Sequence, residues 1–203
     1  MKNYIFALLS ALLFLPTLNS YAATEIGKPA PDFTATAIDG ATVKPSDYLG
    51  KIVVMEWNNP GCPFVHKHYD SGSMQALQEY AAKKGVVWLT INSGAAGKQG
   101  NMSVDEAKKY ITSQKLSATH YILDPEGKIG KLYGAKTTPQ MFVIDAKGDI
   151  AYKGAIDDKS DTEIESIKGA NNYVRYAIDS LLAGKAVEIS LTKSYGCSVK
   201  YAE

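Results

Sequence analysis

The run Ile52 to Trp57 constrains this chain more than any other stretch. A strand with one face in water alternates apolar and polar residues, whereas a near-continuous apolar run reads as a strand covered on both faces, the position of a central strand in a layered α/β protein. Val86 to Asn92 reads as a second central strand of the same kind. Between them, Pro63 suits the first position of a helix, because the N–H it lacks would have no partner there. The cluster Asp70-Ser71-Gly72-Ser73 ends that helix early, and a second helix carrying Met74, Leu77, Tyr80 and Ala81 stops near Gly85.

The pattern continues in order. Phe33 to Ile38 reads as a strand that turns at Asp39-Gly40 toward Val43, giving an N-terminal hairpin. A glycine-rich loop spans Ser93 to Gly100, and Ser103-Val104-Asp105-Glu106 has the spacing of a capping box that opens a helix to about Lys115. Tyr121 to Leu123 is a short strand, Glu126 to Tyr133 a short helix closed by Gly134, and Gln140–Ile144 with Asp149–Lys153 a hairpin. Asn172 to Leu182 is helical by the spacing of its apolar residues. Strands alternating with helices, then a hairpin and a last helix, define an α/β fold: a central mixed sheet with helices on both faces.

The first residues read differently. Lys2, the apolar run Ile5 to Leu15, Pro16, and small residues at Ser20 and Ala22 match a cleaved secretory signal peptide, residues 1–22, leaving a single domain over residues 23–203. The apolar run is shorter than the roughly 20 residues a membrane span needs. Residues 23–203 are therefore expected to be periplasmic or secreted, with no membrane attachment after cleavage. Of 22 basic and 21 acidic residues, the leader takes Lys2, so the remaining charge is balanced, which argues against electrostatic capture of nucleic acid or anionic lipid.

Cys62 is one of two cysteines and stands just before Pro63, where a strand gives way to a helix. Free N–H groups and the helix dipole favour negative charge there, so a thiol in that place ionises more easily than the ordinary value of about 8.5. The polar approach Asn58-Asn59-Pro60-Gly61 is expected to leave Cys62 exposed.

Gly50-Lys51-Ile52-Val53-Val54, the strand ending in Trp57, the helix-opening Cys62 and the segment Lys136-Thr137-Thr138-Pro139-Gln140-Met141-Phe142-Val143-Ile144-Asp145 resemble the thioredoxin superfamily. With Cys62-Pro63-Phe64-Val65 and the tail Gly196-Cys197-Ser198-Val199-Lys200, the chain is similar to the redoxin group of peroxiredoxin-like exported proteins. The resemblance implies a thioredoxin-like fold and a cis bond before Pro139. Thr138, Pro139, Pro63 and Phe64 would then face the partner chain, and no metal or organic cofactor is required.

The chain departs from both parent patterns. Thioredoxins carry a second cysteine where Val65 stands, and peroxiredoxins place their catalytic cysteine at Val65 and a threonine at Cys62. The peroxiredoxin arginine has no counterpart nearby, since the only arginine is Arg175, on the last helix; Lys67 or backbone N–H groups are the candidates to assist a thiolate. Cys197 has two readings: it resolves a mixed disulfide or sulfenic acid on Cys62, or it instead locks the tail permanently to Cys62 or stays free. Glu56 also has two, a buried acid that moves protons or a surface or ion-paired carboxylate. His66 and His68 read as solvated helix histidines, although a thiolate and an imidazole four residues apart also suit a soft metal. His120 is remote in sequence, and Trp57, Phe64 and Tyr69 read as core or as the apolar rim of the cysteine cleft.

The expected function is that of an exported thiol–disulfide oxidoreductase with catalytic Cys62, Cys197 and Glu56. Its partner is a thiol or disulfide protein. One alternative is a thiol peroxidase acting on a small peroxide. Another is a non-catalytic metal carrier or protein-binding module with a structural disulfide.

Overall fold

A computed structural model describes residues 24–203; the expected signal peptide lies outside them. The central sheet has five strands, β3 (Val53–Trp57), β4 (Val87–Asn92), β5 (His120–Leu123), β7 (Gln140–Ile144) and β8 (Ile150–Gly154), in the order β5-β4-β3-β7-β8. β3 runs parallel to β4, and β4 to β5, while β7 lies antiparallel to both β3 and β8. The sheet is therefore mixed. Every residue of β3, β4 and β7 is buried, as continuous apolar runs require.

Alternation along β3 sends its side chains into two cores. Val54 points toward α1 (Pro63–Asp70), α2 (Ser73–Lys83) and α5 (Tyr173–Leu182), joining Cys62, Val65, Met74, Leu77 and Ile178. Val53, Met55 and Trp57 point the other way. They pack with Ile129 and Tyr133 of α4 (Lys128–Tyr133) and with Ala37 and Val43 of the N-terminal segment, so both faces are covered.

That segment holds the expected hairpin, but its paired part is shorter than Phe33 to Ile38. Only β1 (Ala35–Thr36) and β2 (Thr42–Val43) form a ladder, and Ala37 turns aside to bridge Ile122 of the main sheet. The capping box is complete: the Glu106 N–H donates to Ser103 Oγ at 3.3 Å, and the Ser103 N–H donates to Glu106 Oε2 at 2.7 Å, at the head of α3 (Val104–Ser113). α4 begins at Lys128 rather than Glu126, because Gly127 takes a left-handed conformation and acts as its cap. Among the described residues no helix is long and apolar enough to cross a membrane.

One pairing has no sequence precursor. After α5 the chain runs along β8, where the Lys153 N–H donates to Ser190 O and the Thr192 N–H to Lys153 O. It then continues at the same end of the sheet, where Gly154 of β8 stands opposite Met141 near the start of β7. There β9 (Cys197–Ser198) pairs antiparallel with β6 (Thr137–Thr138), with Thr138 opposite Cys197. The Val199 N–H to Lys136 O and the Ala95 N–H to Lys200 O carry the tail onward to the glycine-rich loop.

Candidate active site

Cys62 is the N-cap of α1, in extended conformation at φ −91° and ψ 123°, with Pro63 as the first helical residue. Its carbonyl accepts from the N–H groups of Val65 and His66, both at 2.9 Å. The side chain turns inward, with the thiol donating to Thr138 O at 3.1 Å. The Thr138–Pro139 bond is cis, the expected conformation. Because β9 pairs with β6 at this residue, the main-chain ladder that holds Thr138 also delivers Cys197. Both cysteines are thiols in this structure, and Cys197 packs against the cluster that contains Cys62.

The environment separates the two sulfurs. Burial alone raises a thiol pKa, but for Cys62 the hydrogen bond from Cys197, together with the backbone N–H groups of Cys197 and Val65, outweighs burial and leaves the pKa below the ordinary value. For Cys197 burial comes first, and its hydrogen bond to Cys62 and the charge there add to it, so its pKa moves up. At neutral pH the inner sulfur is the readier anion and the tail sulfur the proton holder.

Glu56, one strand position from Trp57, is fully buried. Tyr69 donates to both carboxylate oxygens at 2.8 and 3.1 Å, Trp88 Nε1 at 3.0 Å, Thr90 Oγ1 and Asn58 Nδ2 each at 3.2 Å, and Gln78 Nε2 at 3.3 Å. These donors favour the anion, yet desolvation is the larger effect and holds the Glu56 pKa above its usual range. The surface or ion-paired reading of Glu56 is thereby corrected. None of these hydrogen bonds reaches a sulfur.

Several expectations from the sequence are overturned here. The Asn58-Asn59 approach is not exposed: both are buried, because Asn58 bonds to Glu56, Tyr110 and Tyr121, and Asn59 to Gln99 O and the Gly61 N–H. Cys62 itself has 0% exposure. His68 is not solvated but 1% exposed, with Nε2 at 3.2 Å from the Tyr195 hydroxyl, and burial lowers its pKa to about 4. Lys67 does not assist the thiolate. Its buried ammonium donates to Lys159 O at 2.8 Å and to Asp161 O and Oδ1 at 3.1 Å, which ties α1 to the 159–161 loop.

The remaining candidates have other partners. His66 is half-exposed and faces Asp70 at 3.4 Å, and His120 pairs with Asp39 at 2.9 Å. Among the described residues no three His, Cys, Asp or Glu side chains converge as metal ligands. Arg175 pairs with Asp179 at 3.0 Å and lies over the Tyr80 ring. Trp57 and Tyr69 are core, and half-buried Phe64 packs against the Tyr195 ring at 5.9 Å. The sequence does not single out Tyr195 or Asp157, which act only through the tail's placement, and it marks Gly196 only as the start of the Gly196–Lys200 motif.

A cysteine that opens a helix on a central strand of a mixed sheet, and faces the residue before a cis proline, defines a protein of the thioredoxin-like fold. The chain belongs to the AhpC/TSA family, whose model matches residues 26–153. It is 28% identical over 126 residues to the thiol-disulfide oxidoreductase ResA of Bacillus thuringiensis subsp. konkukian (strain 97-27), covering 62% of this chain and 67% of that one. The fold superposes on an uncharacterized conserved protein from Geobacillus kaustophilus with a TM-score of 0.75 at 28% identity, over 89% of this chain and 94% of the other. A hypothetical protein from Sinorhizobium meliloti 1021 also gives 0.75, at 22% identity, over 89% and 96%.

Proposed function

We propose that this protein is an exported thiol–disulfide oxidoreductase, with Cys62 as the nucleophile and Cys197 as the resolving thiol. The observation that carries the reading is the contact between two thiols whose pKa values move in opposite directions. The similarity to ResA supports the reaction class. The leader pattern at residues 1–22 supports export of a domain spanning 23–203.

In the reducing direction, the Cys62 thiolate attacks one sulfur of a partner disulfide. A Cys62–partner bond forms, the partner's sulfur–sulfur bond breaks, and the other partner sulfur leaves as a thiolate that takes up a proton. Cys197 then loses its proton and attacks Cys62 Sγ, which releases the second partner thiolate and forms the Cys62–Cys197 bond. Two electrons have passed to the partner, and a second thiol protein restores the pair. Thr138, Pro139, Pro63 and Phe64 line the place where the partner chain lies. Glu56, a buried carboxyl of raised pKa on the strand that leads to Cys62, serves as the proton reservoir.

Peroxidase chemistry is the weaker reading, because the one guanidinium is engaged by Asp179 and Tyr80. Cys62→Ser is expected to abolish reduction of a peptide disulfide, and Cys197→Ser to accumulate a Cys62–peptide mixed disulfide visible by mass spectrometry. Retention of the parent rate by Cys62→Ser would overturn the proposal.

A further inference from the structure

A nucleophile with no exposed surface cannot meet a partner disulfide unless something moves. What lies over Cys62 is the C-terminal tail: Tyr195 and Cys197 pack against the cluster that contains Cys62, and both are only partly buried. The tail lies outside the segment that the family model matches, residues 26–153. It is held by short, separate contacts. These are the two-residue ladder to Thr137 and Thr138, the main-chain bonds from the Val199 N–H to Lys136 O and from the Ala95 N–H to Lys200 O, the Tyr201 hydroxyl to Ala135 O at 2.9 Å, and the Tyr195 hydroxyl, which donates to Asp157 Oδ1 at 2.5 Å and faces His68 Nε2.

One feature weighs against permanent closure, and a second shows how closely the tail fits. The hydroxyls of Thr137 and Thr138, the residues of the ladder, are buried without a hydrogen-bond partner, a cost to the closed arrangement. Gly196 sits at φ +130° with its Cα against the Thr138 carbonyl, where any Cβ would overlap that oxygen. The fit is close and tolerates no side chain.

We propose that residues 195–201 form a displaceable strap that occupies, as an internal surrogate, the extended-chain site of the partner polypeptide at Thr138, with the Tyr195 hydroxyl as its latch. An extended partner chain bearing a cysteine competes for the same main-chain groups of Thr138, and Cys62 becomes accessible as the strap leaves. The identity of the occupant rests on the exchange reading above; the covering of Cys62 does not.

The test measures alkylation of Cys62 by iodoacetamide in full-length protein carrying Cys197→Ser, at a pH where Cys62 is fully ionised. Adding Tyr195→Phe removes the hydroxyl's bond to the Asp157 carboxylate and its contact with His68, and is expected to speed alkylation about tenfold, equivalent to about 1.4 kcal/mol of strap closure. Gly196→Ala, which pushes the strap off without touching the latch, is expected to do at least as much. Amide exchange should rise at 195–201 while β4 stays protected, which separates strap release from global unfolding. Unchanged Cys62 reactivity in both variants, or strap amides that open without a change at Cys62, would overturn the proposal. Disulfide-exchange activity does not enter this readout, so a gated but inactive protein would reject the exchange reading alone.

Discussion

The two sulfurs of the site meet at Thr138, but unlike structures hold them. Cys62 sits at the junction of β3 and α1, between a strand paired on both sides over its full length and a helix packed into the core. Cys197 hangs on a two-residue ladder, two further main-chain bonds and a few side-chain anchors. The rigid side sets the position of Cys62 to the accuracy of the core, while the tail side leaves Cys197 room to move. The proposed resolving role, in which Cys197 waits through a mixed disulfide and then attacks, needs that latitude.

The largest effects that sharpen this contrast are in stability. Leu89→Ala, in the fully buried centre of β4, is expected to cost about 2–5 kcal/mol. Val199→Ala, in the half-buried tail, is expected to cost under about 1 kcal/mol by urea unfolding. Equal losses would erase the distinction between scaffold and strap.

An intermediate effect comes from His68, which the tail helps to bury. Its folded pKa, about 4, lies below the ordinary 6.5, so between those values the unfolded chain binds the proton and the folded one does not. Stability is therefore lost as pH falls from about 6.5 toward 4, by at most roughly 3 kcal/mol. His68→Gln should flatten that part of the profile.

Glu56 gives a smaller effect of opposite sense. Its folded pKa is raised, so the folded state holds the proton longer, and the stability this confers at low pH is lost as pH rises from about 4.5 through the folded value. Urea midpoints should show Glu56→Gln gaining on the parent as pH rises through that window. A gap independent of pH would mean that the carboxyl is already ionised throughout.

Much of the scaffold was legible in the sequence. Continuous apolar runs identified β3 and β4, the Ser103–Glu106 pair located α3, and Gly134, left-handed at the end of α4, closed it as expected. The site was legible only on its rigid side. A ladder as short as β6–β9 carries no periodicity, and its two halves are far apart in the chain. For the same reason, nothing near Cys62 signalled its burial, since the cover comes from the other end of the molecule. Asn58, Asn59, Lys67 and His68 read as surface residues by type. Each is buried because a specific polar partner waits for it, and composition does not record such partners.

The most direct test of the account is the pH dependence of alkylation, followed separately at each sulfur by mass mapping of the reduced protein. Cys62 should titrate below the ordinary thiol range of about 8.5 and Cys197 above it. A Cys62 that titrates with or above Cys197 would contradict the division of labour between nucleophile and resolving thiol.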